Sequence, residues 1–501
     1  MSQIPPEIAR FRKPGTQIKR INGRYYLARV TSRWDPAAKK VRKVFLEHLG
    51  TVTADGVAPK RTVRRPVDSK AYSKEFGATW AVSELTKDVH GNLKSHFPLD
   101  ADWLYVTALI RCVRHCAMRY TSHFYDVSYI SELFPGLNLS SAALSRKMRE
   151  LGPLRPEMVS FMREYMPPED SYVLFDGTAL ACGSGNIREA QRGYNSHGLH
   201  GPQINLMYAA TVSAENLTPV FYKRFPGSVR DVSAFENMRG EMGARRYIAV
   251  SDKGFVKARD QEKLEELGIH YIAPLKRNSR EYDRSPLEKP GFTGFQGRFL
   301  YNGRIVWYYA QPAAEGAKHR YLLYLDETLR HLEQCTVRSG DDLCRETEAK
   351  AAEVARRQLL CGTVCLKTSL MDGDAQKIYS TYKIREEVEQ VFDTYKSEED
   401  FATTGMHSSE TQEACLFLNH LSVTMAYRVY NVLRRNNALK KYAAVKTPET
   451  YLWDVRVTNV GDGWRLEPIP KSSRGAIEAM GLTAPESLPL PEPPPAHQSM
   501  D

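Results

Sequence analysis

A chain of 501 residues exceeds what one hydrophobic core usually organises, and 42% apolar content supports globular folding of a main domain with added modules. Its 70 Lys and Arg against 59 Asp and Glu give a net charge of +11, which suits a polyanionic partner, DNA, RNA or an anionic membrane, without choosing among them. No apolar run reaches the roughly 20 residues of a membrane span, the start Met-Ser-Gln-Ile-Pro-Pro has no secretory pattern, and the scattered cysteines form no pair of CxxC knuckles, so no structural zinc is expected and the cytoplasm is the expected compartment.

The first 70 residues hold 17 basic and 5 acidic side chains, so this region carries about the whole excess of positive charge. Strands are predicted at Tyr25 to Thr31 and Val41 to Leu46, joined by a polar turn at Asp35 and Pro36. They make a basic β module over residues 1–65, assigned to DNA contact. After a linker at Pro66 to Ser73, apolar residues at 3.6 spacing predict helices from Trp80 to Tyr165, within a helical region at 80–168. There Ser140 and Ser141 lead into a basic helix from Ala142 to Leu151. A helix-turn-helix reading is open, but capped amphipathic helices are mostly structural.

Strands follow at Tyr172 to Phe175, Ile204 to Val212, Val220 to Phe225, Tyr247 to Val250 and His270 to Pro274, with helices at Val232 to Met242 and Lys257 to Leu267. A short connection at Ala214 to Asn216 allows an antiparallel meander of the first three strands, and helical crossovers make the later ones parallel. That mixed order is ribonuclease H-like. The expected fold is therefore α/β, a ribonuclease H-like mixed sheet with flanking helices, its core at 169–275 and 362–440. A β-rich insertion at 276–361 has strands at Phe299 to Tyr309 and Tyr321 to Leu325 and a charged helix near Arg345 to Leu359. The core resumes with a strand at Thr363 to Thr368 and helices at Tyr382 to Lys396 and Glu410 to Leu433. Residues 441–501 are a C-terminal extension whose end, Pro485 to Pro495, is expected to be disordered.

Asp176 follows the apolar run Tyr172-Val173-Leu174-Phe175, and Asp252 follows Tyr247 to Ser251, so each acid is expected to leave the end of a buried strand. Alone, such an aspartate is more often a turn former; the pairing, with Gly177-Thr178 and Lys253-Gly254 expected as tight turns, favours a shared site. On the helix from Tyr382 to Lys396, the phenol of Tyr382, the guanidinium of Arg385, the carboxylate of Glu389 and the ammonium of Lys396 fall within an arc of about 60°. Ile384, Val388, Val391 and Tyr395 fall on the adjoining face, expected to pack on the sheet. By angle alone Glu386 and Asp393 lie near the polar face too. Asp231 reads as a helix N-cap, and His197, His200 and His407 as surface or core histidines.

The spacing Tyr382, Arg385, Glu389, Lys396 resembles the YREK signature of insertion-sequence transposases with an Asp-Asp-Glu (DDE) site. The resemblance extends through Asp176-Gly177-Thr178, Arg192-Gly193-Tyr194, Phe225-Pro226-Gly227-Ser228 with Asp231, Ser251 to Phe255 and Tyr271 to Lys276, roughly residues 100 to 435. The stretch Asn195-Ser196-His197-Gly198 departs from it, where relatives often carry more charge. The resemblance implies a bacterial transposase whose Asp176, Asp252 and Glu389 are catalytic and hold two Mg²⁺ or Mn²⁺ ions, hard cations suited to oxygen ligands. Tyr382, Arg385 and Lys396 would bind the phosphates of double-stranded DNA, both transposon ends and target. Synapsis of two ends suggests a homodimer. The competing readings are a ribonuclease H-like nuclease without strand transfer and a domesticated, catalytically silent DNA-binding protein.

Overall fold

The computed structural model describes residues 4–488 apart from 22–23, 36–39, 60–71, 194–200, 214–215, 230, 244–246, 251–263, 267, 341–347, 385–405, 443–445 and 462. Contacts divide the chain into two compact units, Met1–Tyr72 with Val460–Gly463, and Ser73–Asn459 with Trp464–Asp501. No helix among the described residues is long and apolar enough to cross a membrane.

The first unit is a four-stranded antiparallel sheet in the order β1 (Thr16–Ile21), β2 (Arg24–Asp35), β3 (Lys40–Thr53), β4 (Gly56–Pro59). Both predicted strands are present but longer, and they gain an outer strand on each side. Ile8, Ile18, Leu27 and Val52 are buried together, with Phe11, Tyr25, Leu49 and Val57 packed around them. So small a core suits a unit whose remaining surface is charged.

The second unit starts at Ser73, within β5 (Tyr72–Glu75), and continues with the helices α1 (Gly77–Leu85), α2 (Lys87–His96), α3 (Ala101–Arg114), α4 (Thr121–Val127), α5 (Ser141–Leu151) and α6 (Arg155–Arg163). The buried Glu75 starts this bundle by accepting hydrogen bonds from the Ala78 and Thr79 amides and from both the Thr79 and Ser128 hydroxyls. The expected cap of α5 is corrected here. Ser140 donates its hydroxyl to Asn138 Oδ1 at 2.8 Å and makes no side-chain cap, because the asparagine competes locally for the same group.

Among the described residues the central sheet has ten strands. β6 (Tyr172–Ala181), β8 (Pro202–Val212) and β9 (Leu217–Pro226) form the antiparallel meander, and the two-residue β7 (Gln191–Arg192) pairs with β8. After α7 (Asp231–Met242), β10 (Ile248–Val250) pairs parallel with β6, and β11 (His270–Pro274) parallel with β10. The order β9-β8-β6-β10-β11 is the ribonuclease H-like arrangement. On the far side the sheet continues as β15-β14-β13-β12. These are β12 (Gly297–Tyr301), β13 (Arg304–Ala310), β14 (Arg320–Asp326) and β15 (Thr363–Thr368), with α8 (Glu327–Gly340) and α9 (Glu348–Leu360) between the last two. Residues 276–361 thus lengthen the main sheet, because β15 takes the free edge of β11 antiparallel.

A helix over residues 375–384 (α10) follows, and then α11 (Ser409–Arg435), which starts with a capping box between Ser408 and Thr411 and packs on α3, α5 and β9. The chain ends in β16 (Arg456–Asn459), β17 (Trp464–Leu466) and α12 (Lys471–Ala479). β16 and β17 join β5 in a small sheet, so the C-terminal extension completes the helical region. Gly77 is required at this junction, since a Cβ there would stand 2.4 Å from Val455 Cβ. Arg114 fixes the same junction, lying 4.6 Å from the Phe124 ring centre and 4.1 Å from that of Trp453 while pairing with Glu449 at 2.9 Å. Most of the proline-rich end, residues 489–501, lies outside the described residues.

Candidate catalytic site

Asp176 sits in the middle of the meander's first strand. β6 was expected to stop at Phe175; it runs on to Ala181, so Gly177 and Thr178 are strand positions paired with Met207 and Leu206, and no tight turn follows the acid. The strand continues because β8 offers partners along its whole length. Among the described residues the last pair of β6 with β10 is Leu174 with Val250, and Asp176 stands two residues beyond it, opposite Tyr208 of β8. Asp252, Arg385, Glu389 and Lys396 lie outside the described residues, as do Asn195, His197 and His200.

Tyr382 lies on α10 and is only 4% exposed. Together with Ile378, Tyr379 and Ile384 it belongs to the main core, so its ring does not lie on an open polar face as expected. The spacing explains this: Ile378, Tyr379 and Tyr382 are three and four apart and form one apolar stripe. Asp231 is the first residue of α7. His407 is exposed, and its carbonyl accepts from the Ser184 hydroxyl at 3.4 Å.

Two of the glycine motifs meet at the far end of the meander. A Cβ on Gly193 would stand 2.1 Å from the Gly227 carbonyl oxygen, and one on Gly227 would stand 2.2 Å from the Gln203 oxygen and 2.3 Å from the Gln191 oxygen. Only glycine lets these backbones close. The Gly227 amide donates to the Glu189 carbonyl at 3.1 Å, Asn205 Nδ2 donates to the Gly227 and Val229 carbonyls at 3.2 and 2.8 Å, and the Ser228 hydroxyl donates to Gln191 Oε1. The segments around Arg192-Gly193 and Phe225 to Val229 are thereby one tied structure at the Ala181 end of β6.

A buried charge network, missed in the sequence, anchors α11 to this sheet. Glu413, 5% exposed, receives Arg224 Nε at 2.7 Å, Arg155 Nη1 at 2.9 Å and the Tyr222 hydroxyl at 2.9 Å. Arg155 also reaches Glu241 at 3.1 Å and the Tyr222 carbonyl at 2.8 Å, while Lys223 reaches Glu241 at 3.2 Å. Burial opposes the charge on Arg155, yet Tyr222, Glu413 and Glu241 outweigh it and raise its pKa. Burial, and then Glu413, pushes the Tyr222 phenol well up. The carboxylate of Glu413 is thus buried but fully matched, the condition under which an interior charge is tolerated. The available signal was a set of polar residues, Gln412, Glu413, Asn419 and His420, among the apolar residues of this helix.

His420, about two turns beyond Glu413 on α11, is 1% exposed and 5.4 Å centre to centre from the Tyr222 ring. Burial, with Arg155 nearby, pushes its pKa down from 6.5 to about 3. The folded protein holds the ring neutral while the unfolded chain protonates near 6.5, so this contribution to stability is complete above 6.5 and lost as pH falls towards 3. Stability is expected to fall by about 1.4 kcal/mol per pH unit through this window. Denaturant midpoints of the wild type and His420→Phe at pH 7 and 5 check it; equal losses in both proteins would show that His420 contributes nothing to the slope.

The strand order of the central sheet defines the class, a ribonuclease H-like mixed α/β fold. Residues 167–425, just over half of the chain, match the family described as Transposase DDE domain, and the chain belongs to that family. It is a DDE transposase, an enzyme acting on DNA, and domains of this kind depend on divalent metal. The cryo-EM structure of a piggyBac transposase synaptic complex with hairpin DNA is similar over 82% of this chain and 83% of that one, at 11% identity and a TM-score of 0.35. No curated protein matches the sequence.

Proposed function

We propose that the protein is the transposase of a bacterial insertion sequence of the YREK group, cleaving DNA at the element's ends and joining the freed 3′ hydroxyl to target DNA. The observation that carries the site is the register of β6 and β10. Leu174 pairs with Val250, and Asp176 and Asp252 each follow two residues later in the sequence. Asp176, Asp252 and Glu389 would hold two Mg²⁺ or Mn²⁺ ions, and an all-carboxylate donor set fits such hard cations. Bound there, the ions would supply acidification of the attacking hydroxyl or water and stabilisation of the leaving oxygen.

Arg385 and Lys396 would grip the DNA phosphates, Arg through its planar fork and Lys as a point charge. Tyr382 is assigned to the same DNA contact, its side chain 4% exposed in the core. Both element ends and the target are double-stranded DNA, and bringing two ends together calls for a homodimer, working in the bacterial cytoplasm on nucleoid DNA. The test is nicking of an end-labelled duplex from the element's terminus in Mg²⁺, followed by joining to a target plasmid. Binding without either step would refute the reading.

The basic N-terminal region, 17 cations against 5 acids over residues 1 to 70, is assigned to DNA contact in this scheme. Phosphate neutralisation releases counterions and makes affinity steeply salt dependent. Deleting residues 1–65 is expected to flatten the plot of log affinity against log salt, measured by fluorescence anisotropy. An unchanged slope would move recognition to the helical region.

A further inference from the structure

A cavity of about 510 Å³ opens between α8, α9 and the loop that leaves β11, with Arg277, Asn278, Glu333, Arg356, Arg357 and Leu360 in its lining. Three guanidinium groups meet one carboxylate there, and that carboxylate is already matched. Glu333 accepts from Arg277 Nη1 and Nη2, each at 2.8 Å, and from the Gly362 amide at 2.8 Å. Arg277 Nε donates to the Thr363 carbonyl at 2.9 Å, so the start of β15 holds the guanidinium while these bonds leave two of its five N–H donors unused. Gly362 permits the close approach: its φ is +69°, and a Cβ there would stand 2.5 Å from the Arg330 amide nitrogen. Arg357 pairs with Glu353 at 2.7 Å, both side chains being more than half exposed, and an ion pair so wet is weak. Arg356, also exposed, has no hydrogen-bond or ion-pair partner among the described residues. The lining therefore holds cationic donors without an anion to satisfy them.

The cavity lies at the same end of the sheet as Asp176. β6, β10, β11 and β15 are successive neighbours, and β15 runs antiparallel to β11 with Thr368 opposite Ile272 and Leu366 opposite Pro274, which puts Thr363 beyond the end of β11. Three strand spacings of about 4.8 Å separate β15 from β6 by about 14 Å, less than half of the roughly 34 Å in one turn of DNA. Three arginines set against Glu333 and Glu353 leave one positive charge, which suits the single charge of a phosphodiester better than the several charges of a free nucleotide.

We infer that this cavity grips one backbone phosphate of the DNA being cut, within a helical turn of the scissile bond, through Arg356 and Arg357 beside the fixed Arg277. Only the position relative to the scissile bond rests on the proposed metal site at Asp176. Phosphate contacts of this kind set the register of a duplex without reading its sequence, and the arginine fork matches phosphate oxygens.

The test uses the full chain and a labelled duplex from the element's terminus that carries one methylphosphonate at a time, which removes the charge of a single phosphate. By fluorescence anisotropy the wild type is expected to lose about tenfold in affinity at one position within about ten base pairs of the cleavage point, the scale of one charge-assisted contact. R356A/R357A is expected to bind the unmodified duplex about tenfold more weakly, to lose nothing further at that position, and to lower the slope of log affinity against log salt by about one. Both substitutions are at exposed positions, and an unchanged thermal midpoint confirms that the fold is kept. A methylphosphonate profile that is the same in wild type and variant overturns the inference. Inorganic pyrophosphate that raises the thermal midpoint of the wild type and not of R356A/R357A, with the DNA profile unmoved, also overturns it and gives the cavity to a free phosphate compound. D176N separates the two levels. If D176N nicks the duplex while the profile follows the arginines, the metal site is refuted and the phosphate grip stands; if D176N is inactive while the profile ignores the arginines, the metal site stands and the grip is refuted.

Discussion

Asp176→Asn and Asp252→Asn are each expected to abolish cleavage while leaving binding to the element's end within a few-fold of wild type. An amide in place of a carboxylate keeps the shape of the side chain and removes the negative charge that a divalent cation requires. Metal assistance is worth several kcal/mol in the transition state, and about 4 kcal/mol is a thousandfold in rate. Little DNA-contact surface is lost, so the binding isotherm should hardly move. Leu174 and Val250 are the last described pair of β6 and β10, and Asp176 and Asp252 each follow two residues later in sequence. Nicking of a labelled end duplex, scored with binding on the same preparations, decides the matter. A variant that nicks above a trace rate excludes its residue from the metal site, and a variant that also fails to bind points to a folding role instead.

The buried runs of the central sheet were readable because apolar residues cluster wherever both faces are covered, and His270–Pro274 and Thr363–Thr368 fall where the sequence puts them. Strand ends were less readable. Nothing local in Asp176 to Ala181 tells that β8 will pair with it, and the partners arrive over 20 residues later. The same holds for the C-terminal sheet, in which Arg456 bonds to Ser73 across 383 residues, and for Arg155, whose partner Glu413 is 258 residues away. Helical periodicity assigned Tyr382 an angle relative to Arg385, Glu389 and Lys396, which lie outside the described residues. It did not say which side of that arc faces the core, because the deciding residues, Ile378 and Tyr379, precede the window and a tyrosine suits either environment. In each case a non-local partner chose between local alternatives.

Glu389→Gln is expected to remove both cleavage and strand transfer in Mg²⁺ and in Mn²⁺, whereas Glu386→Gln and Asp393→Asn retain at least about a tenth of the rate. Angle alone does not separate the three acids, since at about 100° per residue Glu386 and Asp393 stand within about 40° of Tyr382. Glu389 is distinguished by its neighbours in sequence: Arg385 one turn before it and Lys396 two turns after it, cations able to hold phosphates on either side of a scissile bond. Glu386 and Asp393 lack that flanking pair and fit as three- or four-residue partners of nearby charges, worth only about 0.2–0.5 kcal/mol each. Single-turnover nicking of a labelled end and joining to a plasmid target, run for the three variants in both metals, give the answer. An active Glu389→Gln beside a dead Glu386→Gln or Asp393→Asn would transfer the third metal ligand to that neighbour.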